Sequence, residues 1–303
     1  MTVPLAGSIT ALATPFDAAG ELDLDAWQRM IAQQLEAGTQ GLVVAGSTGE
    51  AAALYDREYD TVVRLAVEAV SGRIPVLAGT GLSNTAKTIE QTRRAGKLGA
   101  DAALVVTPPY VRPTQEGLLA HFSALADDGA LPVVLYNVPG RSGCDLLPDT
   151  VARLAGHPRI IGIKEANTDS ARIAALLPLR SPTFSVLSGD DPTCRRDLLA
   201  GLDGVVSVAS NVIPRAMRRL YDLARGGDRA QAEALDARLQ EVFAFLGVEP
   251  NPVPLKALLS RLGLGHGLRL PLLPLSAAHA DAADRIAARL QAVEQASGER
   301  LAA

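Results

Sequence analysis

Short apolar runs alternate along the chain with longer amphipathic segments. The runs are rich in valine, isoleucine and alanine and have turn residues on both sides, which is typical of buried strands. The segments between them repeat apolar residues every three or four positions, as helices do. Several of these segments end on a glycine of the kind that terminates helices, namely Gly38, Gly72 and Gly99. The strand-like runs lie at 8–15, 41–48, 74–81, 102–109, 132–139, 159–166, 184–191 and 204–211.

This alternation predicts the fold class. Near-continuous apolar strands flanked by helices indicate a parallel sheet that is covered on its outer face. Eight such units match a (β/α)8 TIM barrel better than an open doubly wound sheet, and no G-x-G-x-x-G turn follows the first run. We predict an α/β barrel over residues 1–225 and an appended region of three helices, packed on the barrel, over 226–303.

Composition narrows the class of protein. The chain has 303 residues, 48% hydrophobic and 20% charged, with a net charge of -4, which is typical of a soluble globular protein. Acidic and basic residues are interspersed, so we expect neither nucleic-acid nor membrane binding. The N-terminus lacks a basic signal region, and we expect a cytoplasmic protein. Cys144 and Cys194 are expected to be free thiols rather than a disulfide or a metal site.

One lysine lies at the carboxyl end of a predicted strand. Active sites of this fold lie at the carboxyl ends of the strands. Of the four lysines, Lys87 and Lys97 fall on a helix-like surface segment and Lys256 on the C-terminal helical part. Lys164 alone ends a strand, in "IIGIK". A lysine held there loses hydration, which favours the neutral amine that attacks a carbonyl to form a Schiff base.

The orientation of Lys164 follows from strand alternation. If Lys164 faces the barrel interior, positions 162 and 160 face inward and positions 161 and 163 face the helices. Gly162 would then leave space beneath the lysine side chain. Position alone leaves an alternative open, in which Lys164 pairs with Glu165 or another acid at the barrel rim.

Three features at the ends of the second and fifth runs add polar groups that could act together with the lysine. Tyr136, in "VVLYNVP", faces inward by the same alternation and could transfer protons. The loop "GSTGE" at 46–50 offers backbone N–H groups to a carboxylate. Arg141, in "VPGRSG", suits a second carboxylate. Each feature alone has a structural explanation: packing, a tight turn or a surface ion pair. Together they indicate a site for a small keto acid and a second anionic substrate.

With these motifs the chain resembles the dihydrodipicolinate synthase family, within the N-acetylneuraminate lyase superfamily of Schiff-base-forming pyruvate aldolases. The lysine and "YNVP" motifs mark the superfamily, whereas "GRSGCDLLP" and "VEPNPVPLK" mark the synthase branch. The matching stretches run in order from residue 7 to about 275 and are "GSITALATPFD", "GSTGEAAAL", "GRIPVLAGTG", "VVTPPYVRPTQEGL", "LYNVPGRSGCDLLP", "IIGIKEA", "LSGDD" and "VEPNPVPLKALL".

The resemblance implies a reaction and its partners. We expect a lyase that condenses pyruvate with L-aspartate 4-semialdehyde in lysine and diaminopimelate biosynthesis, without a metal or cofactor. The usual assembly of the family is a homotetramer, a dimer of tight dimers. The implied catalytic residues are Lys164 as Schiff base and Tyr136 as proton donor and acceptor. Ser47 and Tyr110 complete a proton relay, with Tyr110 reaching in from the neighbouring subunit.

The resemblance also implies which residues bind substrate. Thr48 would hold the pyruvate carboxylate, and Arg141 the carboxylate of the semialdehyde. Gly189 and Val206 would add backbone contacts around pyruvate. The family more often has threonine where this chain has Ser47. Serine keeps the hydroxyl but lacks the methyl group that restricts the rotamer of threonine. We expect the relay to persist.

A second departure concerns feedback by lysine. Many family members bind lysine at the dimer interface through a glutamate, two histidines and a tyrosine. The matching positions here are Lys87, Asp56, Tyr59 and Pro109. A cationic ligand would meet Lys87 in place of a carboxylate, so the resemblance predicts weak or absent inhibition.

Alternative functions share some of these features. Another pyruvate-dependent aldolase or dehydratase, such as a sialic acid or 2-keto-3-deoxy sugar acid lyase, would use the same lysine, although Arg141 favours a short carboxylated partner. A non-catalytic barrel could bind pyruvate or an amino acid as a sensor. A phosphate-binding barrel is disfavoured, because the loops after the last two strands carry Asp190 and Asp191 and no glycine-rich anion cradle.

Overall fold

Eight parallel strands close into a barrel. A computed structural model describes residues 5–298. Each strand pairs with the next along the chain, and the last pairs with the first, which confirms the (β/α)8 prediction. Every predicted run overlaps one strand, and each strand ends before the run does, since the last residues of each run belong to the loop that follows. The strands are β1 Gly7–Ala11, β2 Gly41–Val44, β3 Val76–Gly79, β4 Ala102–Val106, β5 Val133–Asn137, β6 Ile160–Glu165, β7 Ser185–Ser188 and β8 Gly204–Ser207.

Helices alternate with the strands and continue beyond the last one. Several begin at a side chain that accepts a hydrogen bond from the first turn, as Asp23, Asn84 and Thr114 do. Gly38, Gly72 and Gly99 follow helix ends with φ of 77°, 70° and 92°, which confirms their predicted role. The helices are α1 Leu24–Glu36, α2 Asp56–Val70, α3 Thr85–Lys97, α4 Gln115–Asp128, α5 Pro139–Ser142, α6 Pro148–Ala155, α7 Ser170–Leu176, α8 Cys194–Ala200, α9 Pro214–Arg225, α10 Arg229–Leu246, α11 Val253–Arg261 and α12 Ala280–Gly298.

The C-terminal region consists of α10, α11 and α12, as predicted. Helix α12 packs on α9 and α11, and α10 packs on α8 and α9. Leu255, Ile286 and Leu290 of this region join the same apolar core as the helices around the barrel. The division at residues 225 and 226 stays a prediction. Over residues 5–298, no helix combines the length and the apolar character needed to cross a membrane.

Two apolar layers hold the barrel. The outer layer lies between strands and helices and includes Trp27 and Phe122. The inner layer fills the barrel and includes Ile9, Val134 and Leu187. Cys144 and Cys194 are both buried and unpaired, which confirms the expectation of free thiols.

The prediction for two residues of β6 was wrong. The register between β5 and β6 shifts by one residue, because Val133 pairs with Ile160 and the next residue, Val134, pairs with Gly162. Ile160 therefore packs in the outer layer and Ile161 against the inner one. A β-bulge of this kind interrupts strict alternation. Ile163 packs outward as predicted.

Gly162 also has a different role from the predicted one. A Cβ at this position would lie 2.6 Å from the Ser185 carbonyl oxygen and 3.3 Å from the Ser185 Cβ. The absence of a side chain therefore permits the close approach of β7. It does not serve mainly to make space for Lys164.

Candidate active site

Lys164 ends β6 with its side chain inside the barrel mouth. It is 5% exposed, and its Nζ lies 4.2 Å from the centroid of the Tyr136 ring. The two residues are direct partners in the β5–β6 register. An ammonium at this distance interacts favourably with an aromatic face. The inward orientation predicted for both side chains is confirmed.

Gly189 follows β7 and touches the lysine side chain. A Cβ there would lie 2.9 Å from Lys164 Cε, a separation that side-chain carbons do not tolerate. The Gly189 N–H donates to the Glu165 carbonyl at 2.7 Å, so the end of β7 is fixed beside β6. Val206 lies in the same inner apolar cluster as Tyr136. Tyr136, Lys164 and Gly189 thus come together at the ends of β5, β6 and β7, and Val206 of β8 lies in the same barrel interior.

The structure contradicts the alternative in which Lys164 pairs with an acid. No carboxylate between residues 5 and 298 forms an ion pair with Lys164. The adjacent Glu165 points outward, where both its carboxylate oxygens accept from Asn137 Nδ2 at 3.0 Å. One of them also accepts from the Asn167 N–H at 2.8 Å, and Arg172 lies 3.9 Å away. Within residues 5–298, Lys164 therefore has no carboxylate as an ion-pair partner.

A second lysine is buried, which sequence reasoning did not foresee. Lys256 is 3% exposed. Its Nζ lies 2.8 Å from Glu50 Oε1 and also donates to the Thr14 carbonyl. Lys87 and Lys97 are exposed. Of the two buried lysines, Lys256 is fully engaged by oxygen atoms, so Lys164 is the one whose amine is available to a carbonyl substrate.

Thr48 and Arg141 are linked through a residue that the sequence analysis did not single out. Asn251 donates from Nδ2 to Thr48 Oγ1 at 3.0 Å. The carbonyl of Asn251 accepts from Arg141 Nη2, also at 3.0 Å. Thr48 is buried and Arg141 exposed, so Asn251 spans from the loop after β2 to the rim. The motif "VEPNPVPLK" signalled this segment, but its local helical pattern gave no reason to place it at the site.

The predicted relay is not assembled within a single chain. Ser47 is exposed. Tyr110 is 90% exposed and has φ of 73°, in the left-handed region that non-glycine residues seldom adopt. Among the described residues, no hydrogen bond joins the Tyr136 hydroxyl to either of them. The roles of Ser47 and Tyr110 stay predictions.

The loop after β8 has no free amides for a phosphate. Asp191 is buried, and its Oδ2 accepts from the N–H groups of Val208 and Ala209 at 2.9 and 2.7 Å. Burial raises the pKa of Asp191. An endogenous carboxylate thus occupies the backbone donors that a phosphate would need, which argues against the phosphate-binding alternative.

A polar network fixes the outer side of the ends of β5 and β6. Asn137 Nδ2 bridges Glu165 to Asp145 Oδ1, the latter at 2.8 Å, and Arg172 binds Asp145 at 2.5 Å. Burial raises the pKa of Glu165 to about 7, although the hydrogen bonds from Asn167 and Asn137 and the charge of Arg172 act in the opposite direction. Because Glu165 follows Lys164 and Asn137 follows Tyr136, this network holds both strand ends in place.

Comparisons with known proteins give one consistent result. The model of the dihydrodipicolinate synthetase family matches residues 4–290. The chain is 66% identical over 299 residues to the 4-hydroxy-tetrahydrodipicolinate synthase of Xanthomonas campestris pv. campestris, covering 99% of each chain.

Two solved structures are also similar. Dihydrodipicolinate synthase from Acinetobacter baumannii, solved with pyruvate and described as chloride inhibited, is 40% identical with a TM-score of 0.91, over 95% of this chain and 99% of that one. The enzyme from Cyanidioschyzon merolae, solved with lysine bound, is 37% identical with a TM-score of 0.90, over 95% and 98% of the two chains.

The raised pKa of Glu165 predicts how stability depends on pH. Between its ordinary value of 4.5 and the folded value of about 7, the folded state holds this proton more tightly than the unfolded chain does. Stability from this group is therefore greatest in acid and is lost as pH rises through about 7. Raising pH from about 5 to about 8 should lower the free energy of unfolding of the native protein, relative to Glu165→Gln, by up to about 3 kcal/mol.

Urea unfolding of both proteins at the two pH values measures this difference. If the stability difference between native protein and variant were the same at both pH values, burial would not raise the pKa of Glu165 in the folded protein.

Proposed function

The chain belongs to the dihydrodipicolinate synthetase family, and we propose that it condenses pyruvate with L-aspartate 4-semialdehyde through a Schiff base on Lys164. Its activity is that of a 4-hydroxy-tetrahydrodipicolinate synthase, a lyase of lysine and diaminopimelate biosynthesis. The observation that carries the residue assignment is the buried Lys164 amine, which has no acidic partner between residues 5 and 298 and lies 4.2 Å from the centroid of the Tyr136 ring.

The proposed reaction has three stages. The Lys164 amine attacks the ketone of pyruvate, and loss of water leaves a protonated imine that withdraws electrons from the methyl carbon. The methyl carbon loses a proton to form an enamine, which attacks the aldehyde carbon of the semialdehyde. The amine of the condensed substrate then displaces Lys164 by transimination and closes the ring. The imine serves as the electron sink, so this scheme draws on no metal or cofactor.

The proposed roles of Tyr136 and the substrate-binding residues agree with where these residues lie in the barrel mouth and at its rim. Tyr136 lies against the amine and is the proposed proton donor and acceptor, in a relay with Ser47 and with Tyr110 of a neighbouring subunit. Thr48, held by Asn251, is the proposed ligand of the pyruvate carboxylate. Arg141 is the proposed ligand of the semialdehyde carboxylate.

Gly189 and Val206 line the pyruvate site in this proposal. A Cβ at Gly189 would meet the lysine, and Val206 lies 1% exposed in the barrel interior. The lack of a side chain at Gly189 therefore lets the end of β7 lie against Lys164, and Val206 adds apolar surface inside the barrel.

The proposed assembly is a homotetramer in the cytoplasm, built as a dimer of dimers. Tyr110 and the adjacent Val111 are 90% and 53% exposed in the single chain. Exposure of two large apolar side chains next to each other favours an interface at this loop. Tyr110 would then reach the site of the partner.

Lys164→Ala should abolish the attachment of pyruvate to the protein by borohydride, because no imine can form at that position. Mass spectrometry of the reduced protein measures the adduct, and a coupled assay with the semialdehyde measures turnover. The exposed Lys97→Ala variant should label as fully as the native protein does. Persistent labelling of the Lys164 variant would place the nucleophile elsewhere.

Arg141→Ala should impair use of the semialdehyde while leaving pyruvate labelling nearly unchanged. Loss of charge-assisted hydrogen bonds to a carboxylate is worth about 1.5–3 kcal/mol, a fall of roughly ten- to a hundredfold in kcat/KM for the semialdehyde. Arg153, an exposed arginine paired with Glu116, provides the control, and Arg153→Ala should change neither quantity. If Arg141→Ala impaired pyruvate labelling as strongly as it impaired use of the semialdehyde, Arg141 would not be specific for the semialdehyde carboxylate.

Inhibition by lysine should be weak or absent. Lys87 is exposed, and Asp56, the acidic residue among the four matching positions, already binds Arg94 at 2.9 Å. Tyr59 is buried and donates to the Gly79 carbonyl at 3.1 Å. A cationic ligand would therefore meet one free positive charge and no free negative one. Titration of activity with lysine measures the effect, and half-maximal inhibition at submillimolar lysine would contradict it.

Lys87→Glu is the matched variant for this prediction. It reverses the sign of the charge at the position that departs from the family pattern. We expect it to be inhibited at lower lysine concentrations than the native protein.

A further inference from the structure

The loop that would hold the pyruvate carboxylate is bounded by two strained residues. Ala45 and Glu50 both have φ of 51°, a left-handed conformation that costs a non-glycine residue free energy. Within the loop, the Glu50 N–H donates to the Ser47 carbonyl at 3.2 Å and the Ala51 N–H to the Gly46 carbonyl at 3.3 Å. Two long hydrogen bonds do not by themselves fix this backbone, so contacts from outside the loop must do so.

Those contacts come from the C-terminal region. The Glu50 side chain is 2% exposed, and its Oε1 lies 2.8 Å from Lys256 Nζ on α11. Its Oε2 accepts from the Arg269 N–H at 3.2 Å. Both oxygens of a buried carboxylate at the end of the loop are thus bound by residues more than two hundred positions away.

Lys256 is fixed in turn by the end of β1. Its Nζ donates to the Thr14 carbonyl and lies 4.3 Å from the centroid of the Phe16 ring. Thr14 Oγ1 donates to the Gly49 carbonyl at 2.7 Å. Lys256 therefore joins the loop after β1 to the loop after β2. Burial lowers the pKa of Lys256, and the neighbouring charge of Glu50 acts in the opposite direction.

We propose that Lys256 and Glu50 are positioning residues for pyruvate, which hold the loop 46–50 so that Thr48 faces the Lys164 amine. This inference rests on the proposed function, because it takes Thr48 as the carboxylate ligand. The hydrogen bond from Asn251 to Thr48 is a second attachment from the same C-terminal region. That region thereby forms part of the substrate site.

A purely structural role is the competing explanation, and the physics of buried ion pairs separates the two. Removing one partner of such a pair is strongly destabilising, because it leaves a buried charge unpaired, whereas replacing both partners by neutral groups is often harmless to stability. A pair that only stabilises the fold can therefore be replaced as a whole without loss of substrate binding. A pair that positions the loop cannot.

Three variants of the full chain test the proposal: Glu50→Gln, Lys256→Met and the double variant. Glu50→Gln keeps the shape of the side chain and an oxygen that can accept from Lys256, so it is the mildest. The measurements are the melting temperature, the KM for pyruvate and kcat. Lys256→Met should lower the melting temperature and raise the KM for pyruvate at least about tenfold, the loss expected when a ligand is misplaced by a fraction of an ångström.

The double variant decides between the two explanations. We expect its melting temperature to return toward the native value while the KM for pyruvate stays at least about tenfold raised. A double variant with native stability and a KM within about twofold of the native value would overturn the proposal. An unchanged KM in Lys256→Met would overturn it as well.

A matched control lies elsewhere in the same region. Arg195 on α8 and Asp236 on α10 form an ion pair at 3.1 Å, which also joins the C-terminal helices to the barrel but contacts no part of the loop. Asp236→Asn should lower the melting temperature and leave the KM for pyruvate unchanged.

Borohydride labelling distinguishes failure of this inference from failure of the proposed function. At saturating pyruvate, Lys164 should still be labelled in all three variants, since its own surroundings are intact. Absence of labelling in the native protein would refute the proposed function itself. Labelling with an unchanged KM would refute only the positioning role.

Discussion

The site depends on one amine that is buried with no counter-charge among the residues that the structure describes. A lysine inside a barrel loses hydration, and the usual response of a fold is to supply a carboxylate. Here the strand directs Lys164 inward and the neighbouring acid, Glu165, outward. At the inner position the Lys164 Nζ lies 4.2 Å from the centroid of the Tyr136 ring, and no carboxylate of residues 5–298 pairs with it. The amine is therefore not engaged by an acid and can meet a carbonyl substrate.

The two buried lysines differ in role because their surroundings differ. Lys256 binds the Glu50 carboxylate and the Thr14 carbonyl, so its amine is engaged by oxygen acceptors. Lys164 has neither type of partner among the described residues. Both are almost completely removed from solvent, so burial does not distinguish them. The presence or absence of an acceptor within hydrogen-bond distance does.

The geometry around Lys164 is supported from outside the barrel. Asn137, Glu165, Asp145 and Arg172 form a polar network behind the strand ends that carry Tyr136 and Lys164. On the other side of the mouth, the C-terminal region holds the loop after β2 through Glu50 and Thr48. Reactive groups need support of this kind, because small displacements cost large factors in rate.

The sequence by itself determined the barrel and the eight strands, because these follow from local periodicity, and it placed Lys164 and Tyr136 at strand ends, where this fold carries its chemistry. The structure then decided between an inward Lys164 and one paired with an acid at the rim. Only the tertiary structure decided which of Ile160 and Ile161 faces inward, since a bulge opposite Val133 and Val134 breaks the two-residue period. It alone also brought Asn251 and Lys256 to Thr48 and Glu50, across 203 and 206 positions. A helical pattern specifies which face of a helix is buried, but the polar group that a distant side chain meets depends on how the whole chain closes.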